Sequence, residues 1–285
     1  MGLRTKILGI TGAILFVPVG AHCESDVQPS REARAGAAAL GASHFGDRLP
    51  SLTRGVLLTF ASDHELRPEF TSAGGHFSIS PHSGDWSSGL ASAISSDGYL
   101  LTAAHVVKRF NWIVGWMDGK LEMKAATVVA KRAYGPIGAE FAVLRVAASI
   151  GTPLTILRRP GVSGEIYILA PDRVGGAQIQ CLAGAAIGYS EPIGGSECII
   201  LYTNLPTWNG DSGGPVLSST GELIGVNVGW KKSGLSKDVR TVCCPNPTMV
   251  ESIISKDRVT RTSPNQHLST TEQAKSGDGE ASGQR

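Results

Sequence analysis

Residues 88–105 read Ser-Gly-Leu-Ala-Ser-Ala-Ile-Ser-Ser-Asp-Gly-Tyr-Leu-Leu-Thr-Ala-Ala-His. Leu90 to Ile94 alternates, Ser96-Asp97-Gly98 turns, and Tyr99 to Thr102 returns. Asp-Gly between two apolar segments is a strong hairpin signal. A second hairpin follows the same grammar: Val216-Leu217, a turn through Ser218-Ser219-Thr220-Gly221, then Leu223-Ile224-Gly225-Val226. Further strand candidates are Val56–Phe60, Trp112–Trp116, Lys124–Val129, Phe141–Val146, Glu165–Leu169, Gln178–Ile187 and Cys198–Thr203. Many short strands separated by turns indicate an all-β barrel or sandwich. One helix is expected near the end. Asn246 caps it, Pro247 suits its first position, and Met249, Val250, Ile253 and Ile254 form one apolar stripe.

Composition narrows the class. The chain has 285 residues, 41% hydrophobic and 18% charged, enough for one large domain or two small ones. Net charge is +2 and no long basic run occurs, which argues against a nucleic-acid partner. Five Cys are too few for a disulfide scaffold. No interior apolar stretch of about 18 residues suggests a multispan membrane protein.

Four segments follow. Residues 1–23 carry Arg4 and Lys6, an apolar run from Ile7 to Gly20, and small residues at Val19-Gly20-Ala21. That is signal-peptide grammar, and it predicts export, secreted or periplasmic, with no other membrane association. The alternative is an uncleaved N-terminal anchor. Residues 24–51 read mostly as linker, with room for a frayed helix around Arg31–Leu40. Residues 52–255 form the body. Residues 256–285 contain no Phe, Trp or Tyr and read as a disordered tail.

Three segments carry chemistry. Ser212 lies in Asn209-Gly210-Asp211-Ser212-Gly213-Gly214-Pro215. Glycines let the backbone turn so that successive N–H groups face one spot, beside a hydroxyl able to attack an acyl carbon. By average usage Gly-Asp-Ser-Gly-Gly-Pro arises by chance in about 10⁻⁵ of chains this long, so an ordinary turn is the weaker reading. His105 follows an apolar strand and two alanines, which leave room for a general base. Glu140 opens another apolar strand, where a carboxylate would orient that imidazole. Asp118, in Met117-Asp118-Gly119, competes but reads as a hairpin turn.

Residues 88–105 resemble the first-barrel signature of chymotrypsin-like serine proteases. Gly210–Pro215 is similar to their nucleophile loop, and Gly221–Asn227 to the strand that follows. The compact spacing resembles the bacterial HtrA/Deg-type branch. The resemblance implies two packed six-stranded antiparallel barrels, a cleft between them and a closing C-terminal helix. It implies Ser212 as nucleophile, His105 as base and acid, and an oxyanion hole from the amides of Gly210 and Ser212. Asn227, Val228 and Gly229 would be the edge that pairs with a polypeptide substrate. Pro206 and Thr207 would floor an uncharged primary pocket, suited to small or medium apolar side chains. No metal or organic cofactor is implied.

The departures matter too. The family usually has Asp where Glu140 stands, and the extra methylene must be accommodated. This keeps open a second reading, a weak or inactive homologue that binds peptide or a partner protein in the same cleft. Digestive members release a new apolar N-terminus that pairs with the Asp before the serine. No Ile-Val-Gly-Gly precedes the body here, and the sequence discloses no partner for Asp211. The 30 residues after 255 are too few for the PDZ module common in the Deg-type branch.

Cys181 and Cys198 sit on neighbouring strand candidates, either bridged or as two buried thiols, with register deciding. Cys243-Cys244 precede the final helix. His64, His76 and His82, with Asp63 and Asp85, match no zinc spacing and read as solvated loop.

Overall fold

The computed structural model describes residues 28–64, 69–73, 76–80, 86–134, 139–157, 164–172, 179–190, 192–193, 197–230 and 239–262. The signal-peptide segment, His82 and Asp85 lie outside them.

Fourteen strands and three α-helices make up the described part. The first barrel contains β1 (Val56–Ser62), β4 (Ser87–Ala93), β5 (Tyr99–Thr102), β6 (Phe110–Met117), β7 (Lys120–Tyr134) and β8 (Ala139–Val146). It closes in the order β1-β4-β5-β8-β7-β6, every pair antiparallel. The second contains β9 (Gly164–Pro171), β10 (Ile179–Tyr189), β11 (Cys198–Thr203), β12 (Pro215–Leu217), β13 (Leu223–Trp230) and β14 (Arg240–Pro245). It closes as β10-β11-β14-β13-β12-β9, also antiparallel. The expected pair of six-stranded barrels is therefore present, and both hairpins form where the turn residues place them. Gly98 supplies the positive φ of the first turn, 93°. One apolar core runs through both barrels. Leu90, Leu101 and Val143 of the first join Leu169, Ile200 and Val226 of the second, all buried.

Of the region 24–51, the described residues from 28 on are mostly helical, beyond the frayed helix expected around Arg31–Leu40. Arg31–Phe45 is a 15-residue helix, α1, and Leu49–Arg54 is a short α2. Ser30 caps α1 by accepting the Ala33 amide at 3.1 Å, and Glu32 complements its N-terminal dipole. Its buried residues Arg34, Gly41 and Phe45 fall on one stripe, with Ala37 and Ala38 packed along it. A Cβ at Gly41 would stand 2.2 Å from the Cys181 carbonyl oxygen, so glycine is what lets α1 lie directly on β10.

The C-terminal helix is also longer than its apolar stripe suggests. α3 spans Pro247–Thr262, so residues 256–262 are helix and not tail. Val250 and Ile254 bury its apolar side. Its polar end reaches the first barrel. Tyr99 donates its hydroxyl to Asp257 at 2.7 Å and accepts from Arg261 at 2.9 Å, while Arg258 pairs with Asp97. α3 thus ties the end of the second barrel to the first hairpin.

Two further expectations are corrected. Around the histidine-rich insert, Glu69–Ala73 and His76–Ser80 pair as a separate hairpin, β2 and β3, where a loop was expected. No disulfide joins Cys181 to Cys198. Register forbids it: Ala186 opposes Thr203 and Tyr189 opposes Leu201, which sets the two cysteines at opposite ends of the β10–β11 pair. Cys181, Cys198, Cys243 and Cys244 are buried free thiols. Burial pushes the Cys181 and Cys244 thiols up to about 12, so neither is a ready thiolate.

The α3 network makes a stability prediction. Asp257→Ala removes a charged acceptor from the fully buried Tyr99 ring. It should lower unfolding free energy by about 1.5–3 kcal/mol, read from the urea midpoint at unchanged slope.

Candidate active site

The site lies where the two barrels meet. The segment Gly210–Gly214 packs on the β4–β5 hairpin. Leu90 donates its amide to the Ser212 carbonyl at 2.8 Å, and Gly213 donates to Asn227 at 2.7 Å. Gly213 has φ 80°, and a Cβ there would lie 2.0 Å from the Leu90 carbonyl oxygen and 2.3 Å from Thr102 Oγ1. Only glycine permits that approach. Three residues beyond Thr102 stands His105, in a 3-10 turn at Ala104–Val106. A Cβ at Gly89 would meet both the Ser212 carbonyl oxygen, at 2.5 Å, and Val106 Cγ2, at 2.8 Å. The nucleophile candidate and the histidine turn therefore flank the same strand residue.

Glu140, second residue of β8, meets His105. One carboxylate oxygen, Oε1, takes the ring Nδ1 and lies 3.4 Å from the His105 amide. A carboxylate can only accept, so Nδ1 carries a proton, and in the neutral ring that leaves the lone pair on Nε2. Burial pushes the Glu140 carboxyl up, but the bond and charge of His105, with Lys131 behind, outweigh it and hold it below 4.5. Asp118 is elsewhere, in the β6–β7 turn at φ 49°, bonded to Lys124 and to the Ser149 amide. His105 is 44% exposed, open to a substrate. Among the described residues, no hydrogen bond joins it to Ser212 Oγ.

Around Ser212 the amides sort themselves. Asp211 donates to Trp208, Gly213 to Asn227 and Gly214 to Asp211. Among the described residues, the amides of Gly210 and Ser212 find no backbone acceptor. Gly210 is at φ 91°, the left-handed turn that breaks the chain between them. Two unengaged N–H groups beside one hydroxyl form a place where an anion can sit.

The pocket residues divide. Thr207 is buried, and the Pro206 carbonyl turns away to accept from Arg34 at 2.8 Å. Asn227 does not belong to a free edge. It is 1% exposed, its amide donates to Gly214, its carbonyl accepts from Gly213, and its side chain donates to the Asp211 carbonyl. Val228 is the bulged residue, out of register with β14, and Gly229 stands so close that its Cβ would lie 3.8 Å from Ser212 Oγ.

Asp211 has a partner that sequence reasoning missed. Arg34 of α1, 3% exposed, meets the fully buried Asp211 carboxylate at 2.7 Å. A single arginine in an alanine-rich stretch carries no signal of where it docks.

Residues 87–226 of this chain match the family described as the trypsin-like peptidase domain. Its fold is similar to that of the Rv3671c protease from M. tuberculosis in its active form, at TM-score 0.53 and 18% identity over 75% of this chain and 86% of that one. It is similar also to the HtrA-type protease AlgW with decapeptide, at TM-score 0.52 and 19% identity over 75% of this chain and 67% of that one. With tripeptide, the AlgW match has TM-score 0.50 and 21% identity over 76% and 62%. At these identities the likeness is one of fold. No curated protein sequence matches the chain.

The Glu140 geometry can be tested without an activity assay. Carboxyl-carbon NMR should place Glu140 below 4.5 in the intact protein and move it upward in His105→Ala, where burial loses its main opponent. Its stabilising effect is present above the unfolded value and lost as pH falls through the folded one. An unmoved titration in His105→Ala would refute the assignment.

Proposed function

We propose that this chain is an exported serine endopeptidase working through Ser212, His105 and Glu140. The observation that carries the reading is the Glu140–His105 bond set beside a serine loop with two unengaged amides. Ser212 Oγ attacks the peptide carbonyl while His105 Nε2 takes its proton. The new oxyanion sits on the N–H groups of Gly210 and Ser212. His105 returns the proton to the leaving amine, and the C–N bond breaks to leave an acyl-serine. Water, deprotonated by His105, then attacks that ester, releasing the acid and restoring Ser212. Glu140 keeps Nδ1–H in place and stabilises the imidazolium without taking the proton.

The substrate is an extended polypeptide, lying along Val228 and Gly229. AlgW, similar in fold, is recorded with peptides bound. Pro206 and Thr207 offer no charge, which favours small or medium apolar side chains. Export rests on the signal-type segment 1–23. That no hydrogen bond joins His105 to Ser212 Oγ among the described residues favours a second reading, a weak or inactive homologue that binds peptide or a partner protein in the same cleft.

A fluorophosphonate probe separates the two. Wild type should label, and Ser212→Ala and His105→Ala should not; folded wild type that stays unlabelled supports the binder. Because the shorter side chain of Glu140→Asp draws the carboxylate back from His105 Nδ1, this variant should label about 10²-fold more slowly. An unchanged or faster rate would show that Glu140 does not hold the ring. In a peptide library, strict cleavage after Lys or Arg would contradict the neutral pocket.

A further inference from the structure

We propose that α1 is a built-in activating strap and that Arg34 is a positioning residue for the oxyanion site. The inference rests on the serine-protease reading above.

The geometry is one-sided and specific. Asp211 lies between Gly210 and Ser212, the two residues whose amides are unengaged, and its carboxylate points away from the substrate side into protein, 0% exposed. A buried carboxylate needs a cation or donors to stay charged there. The Trp208 amide supplies one bond, at 2.8 Å to Oδ2. The cation comes from α1. Arg34 Nη1 bonds Oδ2 at 2.7 Å, and Nη2 lies 3.5 Å from Oδ1. The same guanidinium gathers the segments around the loop: Nη1 bonds the Pro206 carbonyl at 2.8 Å and Nη2 the Pro171 carbonyl, at the end of β9, at 3.0 Å. It also stacks over the Trp208 ring, 4.6 Å from its centroid, while Trp208 Nε1 donates to the Pro29 carbonyl at 3.1 Å. The stretch Pro29–Arg34 thus grips both ends of the turn that presents Gly210 and Ser212.

Removing the charge leaves an unpaired carboxylate between the two amides. With only the Trp208 amide left to hold it, it turns toward water and draws the 210–212 backbone with it, which takes the N–H groups out of position. Arg34 does not touch Ser212 Oγ and meets the pocket floor only through the Pro206 carbonyl, so its main effect is on transition-state stabilisation, with a smaller one on peptide binding. The chain needs no newly released terminus for this purpose, because the cation is already inside. Activity instead follows the docking of α1.

The test uses the full chain. Arg34→Gln and Arg34→Ala should label with fluorophosphonate about 10²-fold more slowly than wild type, the loss expected when an oxyanion donor is displaced. Cleavage of a peptide substrate should lose kcat by a similar factor with KM within about threefold. Methylguanidinium at millimolar concentration should restore much of the labelling in Arg34→Ala and none in Ser212→Ala, a rescue that a merely structural arginine would not show. Arg34→Lys, which keeps the charge but not the fork, should fall between and serves if the neutral variants do not fold. Folded Arg34→Ala that labels at the wild-type rate would overturn the proposal, as would Arg34→Lys losing KM and kcat together with no rescue elsewhere. Folded wild type that never labels overturns the protease reading on which it rests.

Discussion

The close approach of Gly213 to Leu90 and Thr102 is the constraint from which the site follows. No side chain fits there, since a Cβ would sit 2.0 Å from a carbonyl oxygen. With glycine present, the second barrel's loop drops onto the first barrel's hairpin, and the Leu90 amide closes the contact on the Ser212 carbonyl. The same hairpin runs on into His105 and pairs through β5 with β8, which brings Glu140 to the ring. One backbone contact therefore sets the relative position of residues drawn from β8, the turn after β5 and the loop before β12.

Two helices brace this junction from opposite sides. α3 leaves the second barrel and binds the β4–β5 turn through Asp97, Tyr99 and their partners on the helix. α1 lies on β10 and reaches beneath the serine loop with Arg34. A buried ion pair is weak evidence for stability, because desolvation offsets much of its attraction. Its value here is directional: it forces one orientation of Asp211, and with it one orientation of the amides on either side. Through Arg34 and Asp211 the helix is tied to the serine loop.

Most of the architecture was legible because it is written in local signals. Asp97-Gly98 and the turn at Ser218–Gly221 announce hairpins, and the apolar strands between them need a closed sheet on each side. The glycine-rich serine motif and the Ala-Ala-His segment were equally plain. What escaped was tertiary. α1 buries Ala, Gly and Arg, so its packing face resembles a solvated linker in composition. α3 is held past Ser255 by the Arg258–Asp97 ion pair and by hydrogen bonds to Tyr99, which sequence spacing cannot announce. Glu140 departs from the usual Asp, and only the folded chain shows it bonded to His105 Nδ1. Asn227 looked like an edge residue, but hydrogen bonding within the serine loop consumes its backbone. The cysteine question turned on strand register, which no count of cysteines supplies.

The central claim is that Ser212 Oγ and the amides of Gly210 and Ser212 converge on one reacting centre that His105 serves. A crystal structure of the protein after reaction with a diphenyl peptide phosphonate measures it most directly. The account predicts a covalent bond from phosphorus to Ser212 Oγ, the phosphoryl oxygen within about 3.1 Å of both amides, and His105 Nε2 within hydrogen-bond reach of the bound oxygens. Phosphorus on another residue, or a phosphoryl oxygen turned to solvent with Gly210 flipped away, would contradict it.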